Sequence, residues 1–234
     1  ARAACEEIAD RGKVPILVGG SGFYHHAFRH GLNEVPPVPE TLRQELRERL
    51  AAGDREALMA ELRECDPELA ARLPAGDSQR LLRALEVARG TGRSLSAWQA
   101  LPISDGSLIS ALRIGLTLPR ALLYHRIQSR TAQMFRIGWI DEVRALLDSG
   151  FKADDPAFQA IGYRQIVRYL QGEVSREGAE EETLIATRRF AKRQMTWFRR
   201  DADTLWFEPG DFRETLRAVL QQVKVNRVGR EADA

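Results

Sequence analysis

The chain has 234 residues, 44% of them hydrophobic and 29% charged, with a formal net charge of +2. That length and mix suit one domain with an insertion, or two small domains, able to bury a sizeable core. No run approaches the roughly 18 apolar residues of a membrane span, and the opening ARAACEEIADRGK lacks the apolar centre of a signal peptide. Cys5 and Cys65 have no C-x-x-C partner, so neither a zinc site nor a disulfide framework is indicated. A cytoplasmic, monomeric protein away from membranes is the expectation.

Residues 1–10 have the pattern of the second half of an amphipathic helix, with Ala4 and Ile8 on one side and a turn at Arg11 and Gly12. A strand carrying a ligand turn normally has neighbours before it, so a further N-terminal segment is expected. In the stretch from Val14 to Tyr24, Ile16 to Val18 is too short for a helix and is bounded by Pro15 and Gly19, which predicts a buried parallel strand. Gly19, Gly20 and Gly22 then allow close backbone approach. A helix starting near Phe23 would favour an anion beside Ser21 through its free N–H groups and dipole. Strand, glycine turn and helix also occur in α/β proteins with no ligand at that turn.

The segment from Gly31 to Pro39 is a turn and extended linker, since Pro36, Pro37 and Pro39 forbid helix. From Glu40 to about Gln99 the pattern is helical. Leu42, Leu46 and Leu50 recur at i, i+4, i+8, and Leu58 and Leu62 belong to a second helix. Asp77 can cap a third, with Leu81, Leu82 and Leu85 inside and Gly90 and Gly92 at its end.

Strand character returns over Ala111 to Leu118, and Pro119 suits a first helical turn. In the next helix Leu123, Ile127, Arg130 and Met134 fall on one stripe, so Arg130 points with apolar neighbours and calls for an anion, unless its stem snorkels to water. A second helix, Ile140 to Leu147, ends at Gly150. Pro156 to Arg164 is a loop-to-helix passage with Gly162 as a hinge or close-approach point. A long helix follows from about Arg176 to Arg200. Between Thr183 and Arg200 it carries six basic residues and no acid. Arg189, Arg193, Thr196 and Arg200 line one face and Ala191, Met195 and Phe198 the other. An unmixed cationic face suits an anionic partner, most commonly a nucleic-acid backbone. Leu205 to Phe207 predicts a last strand, Phe212, Leu216, Val219, Leu220 and Val223 a closing helix, and residues 226–234 a disordered tail.

Four stretches in this order carry a family resemblance: Val18-Gly-Gly-Ser-Gly-Phe-Tyr24, Asp77-Ser-Gln-Arg-Leu-Leu-Arg-Ala-Leu-Glu-Val87, Gln159-Ala-Ile-Gly-Tyr-Arg164 and Ala191-Lys-Arg-Gln-Met-Thr-Trp-Phe-Arg199. With them the chain resembles the bacterial tRNA dimethylallyltransferases, the tRNA isopentenyltransferase family, from about residue 1 to 210. The resemblance implies an α/β fold, a P-loop NTPase-like parallel sheet with an all-helical insertion. Residues 1–38 and 105–225 would form the catalytic part and 39–104 the tRNA-binding insertion. It implies transfer of a dimethylallyl group from dimethylallyl diphosphate to N6 of the adenine 3′ of the anticodon, in the anticodon stem-loop of tRNA, with magnesium and with no metal ligand assigned to a residue of this chain.

Residue by residue, Ser21 matches a position usually threonine, near the target base and the diphosphate, and Arg130 matches the arginine on the diphosphate. These two are the expected catalytic pair. Arg43, Gln79, Arg80, Leu81, Leu82 and Arg83 match tRNA-contacting positions of the insertion. Gln159, Ala160, Ile161, Gly162, Tyr163 and Arg164 match a second tRNA-binding segment. Lys192, Arg193, Gln194, Met195, Thr196, Trp197, Phe198 and Arg199 match a third, the cationic helix. In the family a G-x-x-x-x-G-K-[ST] loop and the aspartate proposed as general base precede the glycine turn. These 234 residues contain neither, so the chain alone is expected to bind tRNA without turning over. The other readings are a non-catalytic RNA-binding remnant and an isopentenyltransferase acting on free adenine nucleotides, which should lack the insertion.

Overall fold

The computed structural model of the chain describes residues 1–103, 111–208, 213 and 216–221. These divide into two compact units, one of Ala1–Leu17 with Phe23–Ser110 and one of Val18–Gly22 with Ala111–Ala234. Phe212, Val223 and the tail at 226–234 lie outside the described residues, whereas 216–221 is helical as expected.

In the first unit, α1 (Arg2–Asp10) and α2 (Gly22–His30) flank a non-helical passage, with the first residue of α2 belonging to the second unit. After the prolines come α3 (Glu40–Ala51), α4 (Arg55–Cys65), α5 (Pro67–Arg72), α6 (Ser78–Thr91) and α7 (Leu95–Gln99). The leucine spacing does what it predicts: Leu46, Leu58, Leu62, Leu69, Leu81, Ala84 and Leu85 form one buried cluster. Asp77 caps α6, its carboxylate accepting from the Arg80 N–H at 3.1 Å, and Gly92 ends it at φ +70. A second cap is less legible. The buried Asp66 carboxylate accepts from Leu69 N–H at 3.1 Å and Ser96 N–H at 2.9 Å, so it caps α5 and ties α7 to it.

In the second unit β1 (Ile114–Leu116) pairs in parallel with β2 (Leu205–Phe207), Gly115 opposite Trp206. Parallel neighbours need a long crossover. It is made by α8 (Arg120–Arg136), α9 (Trp139–Asp148), a 3-10 turn (Pro156–Gln159), α10 (Tyr163–Leu170) and α11 (Arg176–Phe198). Phe135, Trp139, Ile140, Val143, Phe158, Ile166, Val167 and Ala179 are its core.

One expected element is absent. Ile16 to Val18 has no regular secondary structure and pairs with no strand among the described residues, and Ile16 and Val18 are 82% and 88% exposed. Apolar character marks a run that can sit in a sheet; a strand also needs a ladder partner for its N–H and C=O groups.

Candidate functional site

The glycine turn belongs to the second unit, where it rests on the C-terminal part of α11. The Gln194 side-chain amide donates to the Gly20 carbonyl at 2.9 Å. A Cβ on Gly20 would lie 2.2 Å from Gln194 Nε2, and one on Gly22 would lie 1.8 Å from Cδ1 of Trp197. Neither glycine has a positive φ, so space rather than backbone conformation excludes side chains here. Two of the three glycines expected to clear room for a ligand thus clear room for α11. Ser21 itself is exposed, immediately before the first residue of α2.

Beside α11 packs α8. Leu123, Ile127 and Met134 are half-buried as the stripe requires, but Arg130 on the same stripe is exposed and unpaired among the described residues. A long stem lets a guanidinium leave an apolar face when nothing buried neutralises it. Its head is therefore available to an anion from solvent. Arg188 is not among the residues that the sequence assigns to the cationic face of α11. Arg188, half-buried on α11, places its guanidinium 5.0 Å from the Tyr124 ring centroid on α8, and Arg120 does the same at 5.0 Å. Arg188 Nε is buried without a hydrogen-bond partner among the described residues. Helical periodicity puts Arg188 beside Arg189 but not against Tyr124, which is 64 positions away along the chain.

The cationic face of α11 is as expected. Arg189, Lys192, Arg193, Thr196 and Arg199 are exposed, and the four cations among them have no ion pair among the described residues, while Met195 and Phe198 are half-buried. Thr196 Oγ1 is turned back to the Lys192 carbonyl at 3.0 Å, and Arg200 stacks 5.7 Å from the Trp197 ring centroid. Five like charges from Arg189 to Arg200 without a carboxylate make a surface that attracts polyanions.

The Gln159–Arg164 segment is split in role. Gly162 is buried at φ +95, its N–H donating to Gln165 Oε1 at 2.8 Å, half of a capping box on α10. Tyr163 packs edge-on to Trp139 and donates its hydroxyl to Glu142, a bond that holds the phenol above its ordinary range. Ile161 is half-buried. Gln159, Ala160 and Arg164 are exposed.

In the first unit the expected RNA contacts form a braced patch. The buried Glu86 carboxylate lies 3.6 Å from Arg43 Nε and 3.4 Å from Arg83 Nη1, joining α3 to α6. Arg80 pairs with Asp77 at 3.4 Å, and Gln79 is exposed. Leu81 is fully buried and Leu82 half-buried against the same core, so the Leu81 side chain offers a ligand nothing. Elsewhere in this unit, Glu61 is held below its ordinary carboxylate value by hydrogen bonds from Arg89 first and Arg49 second.

No group of three or more His, Cys, Asp and Glu among the described residues is arranged to hold a metal ion. The chemistry below rests on the chain's own groups. No helix among the described residues is long and apolar enough to cross a membrane.

A parallel strand pair joined by a helical crossover in one unit and a leucine-cored set of helices in the other make an α/β protein with a helical domain, consistent with a P-loop-like fold. The profile of the IPP transferase family matches residues 1–201, and the chain belongs to that family. It is 44% identical over 199 residues to a tRNA dimethylallyltransferase of Rhizobium etli, 83% of this chain and 66% of that protein. The chain thus spans about two thirds of that relative's length. The crystal structure of a tRNA isopentenylpyrophosphate transferase from Bacillus halodurans matches 95% of this chain and 71% of its own, with 35% identity and a TM-score of 0.60. A eukaryotic dimethylallyltransferase acting on tRNA shares the fold, with 22% identity and a TM-score of 0.71 over 96% of this chain and 60% of that one.

Proposed function

We propose that this chain serves a tRNA dimethylallyltransferase of about the relatives' length, and contributes its RNA-binding surface together with Ser21 and Arg130 of the transfer site. The observation that carries the reading is the unneutralised cation set on two helices packed together, exposed Arg130 on α8 and the all-basic face of α11, in a member of the IPP transferase family.

The chemistry asks for such groups. The adenine N6 amine forms a bond to the allylic carbon as that carbon's bond to oxygen breaks, the electron pair leaving with the diphosphate and the N6 proton going to a base. Negative charge grows on the departing oxygens, and a guanidinium already in place stabilises it. Ser21 supplies a hydroxyl that can donate to one partner while accepting from the other. The adenine 3′ of the anticodon must leave its stack to reach a donor. The basic face of α11 and the Arg43, Gln79, Arg80 and Arg83 patch would hold the anticodon stem-loop while it does. Magnesium accompanying the diphosphate, a monomeric state and a cytoplasmic location belong to the same proposal.

The test mixes the protein with dimethylallyl diphosphate, magnesium and unmodified tRNA, digests the RNA and seeks N6-dimethylallyladenosine by mass spectrometry. Arg130→Ala is expected to slow transfer about a hundredfold or more while leaving tRNA affinity within about twofold. Absence of product together with weak, salt-insensitive tRNA binding would remove the proposal's support.

A further inference from the structure

The sequence groups Gln194 and Trp197 with the residues that touch RNA, yet in the structure both turn toward the protein's own glycine turn. Gln194 donates 2.9 Å to the Gly20 carbonyl, and Trp197 fills the space that a side chain on Gly22 would need. Gly20 and Gly22 bracket Ser21. The peptide unit between Gly20 and Ser21 is one plane, and no cis bond is present, so the Gly20 C=O and the Ser21 N–H point in opposite directions. Holding the carbonyl toward α11 therefore aims the Ser21 N–H away from it.

From this we infer that Gln194 is a positioning residue for Ser21. Its amide orients the Gly20–Ser21 peptide, and the Trp197 ring seats the start of α2, so the helix that attracts the RNA backbone also sets the transfer site. Direct RNA contact is then the work of the exposed neighbours Lys192, Arg193 and Arg199. The inference rests on the reading that Ser21 acts at the transferred group.

The experiment compares wild type with Gln194→Met, which keeps the side chain's length but removes its donor, with Gly20→Ala, whose Cβ displaces the amide, and with the double variant. Each single change is expected to lower kcat for prenyl transfer about tenfold, as a small misplacement of a reacting group does, with tRNA Kd within about twofold. The double variant should be no worse than about either single, because both remove one contact. Backbone hydrogen exchange over residues 19–24 should quicken in both single variants. A rise in tRNA Kd with kcat unchanged in Gln194→Met would make Gln194 an RNA contact and overturn the inference. Multiplying losses in the double variant, or unchanged exchange in the turn, would overturn it too. If wild type transfers nothing and binds tRNA weakly without salt dependence, the functional reading fails; if it transfers nothing but binds tRNA in a salt-dependent way, that reading stands, and in both cases the exchange measurement decides the hold on the turn.

Discussion

Replacing Gly162 with alanine should cost stability through two effects that the structure separates. At φ +95 and ψ −52, the backbone at 162 lies outside the left-handed helical well, in a region that L residues avoid, a strain of about 1–3 kcal/mol. The added Cβ would also sit 1.9 Å from Cη2 and 2.1 Å from Cζ2 of Trp139. That ring cannot step aside cheaply. It is buried, edge-on to Phe135 at a centroid distance of 5.5 Å and to Tyr163 at 6.0 Å. Overpacking of this kind costs about 1–3 kcal/mol. The expected loss is therefore about 2–6 kcal/mol, a large part of the roughly 5–15 kcal/mol that holds a domain folded. Urea unfolding followed by tryptophan fluorescence measures it, with an unchanged slope showing that the same surface is exposed. A loss within about 0.5 kcal/mol would mean that the turn relaxes into another conformation, and the assignment of Gly162 as a close-approach glycine would fall.

Arg193→Ala should weaken binding of every tRNA by a similar factor and flatten the salt dependence, since a phosphate contact carries no sequence information. Gln79→Ala should instead change the ranking among anticodon loops with smaller effect on mean affinity; identical patterns from both variants across a tRNA panel would contradict this division. Acid should destabilise the first unit through Glu61. Its folded pKa lies below the ordinary value of 4.5, so its contribution is full above that value and disappears as pH falls below it. The urea midpoint of Arg89→Met should accordingly lose part of the wild-type pH dependence between about pH 5 and pH 3, and parallel curves would refute the role of the Arg89 bond.

Much of the architecture was legible in the chain because helical faces are set locally. Leu42, Leu46 and Leu50 share a face by spacing alone, and so do the exposed cations of α11, whatever those faces meet. Asp77 and Gly92 mark the ends of α6 for the same reason, since a cap is satisfied within one turn. The family, too, was legible, because its motifs are short local strings. What the tertiary structure decided is every contact whose partner lies far along the chain. Glu86 bracing Arg43 against Arg83 depends on how α3 and α6 pack. Arg188 against Tyr124 depends on how α11 meets α8. Ile16 to Val18 has strand composition, and only the presence or absence of a neighbouring ladder decides whether it is a strand. Gln194 and Gly20 stand 174 positions apart, and no periodicity joins them. Local geometry tells which way a side chain faces; only the folded chain brings up the atom that it meets.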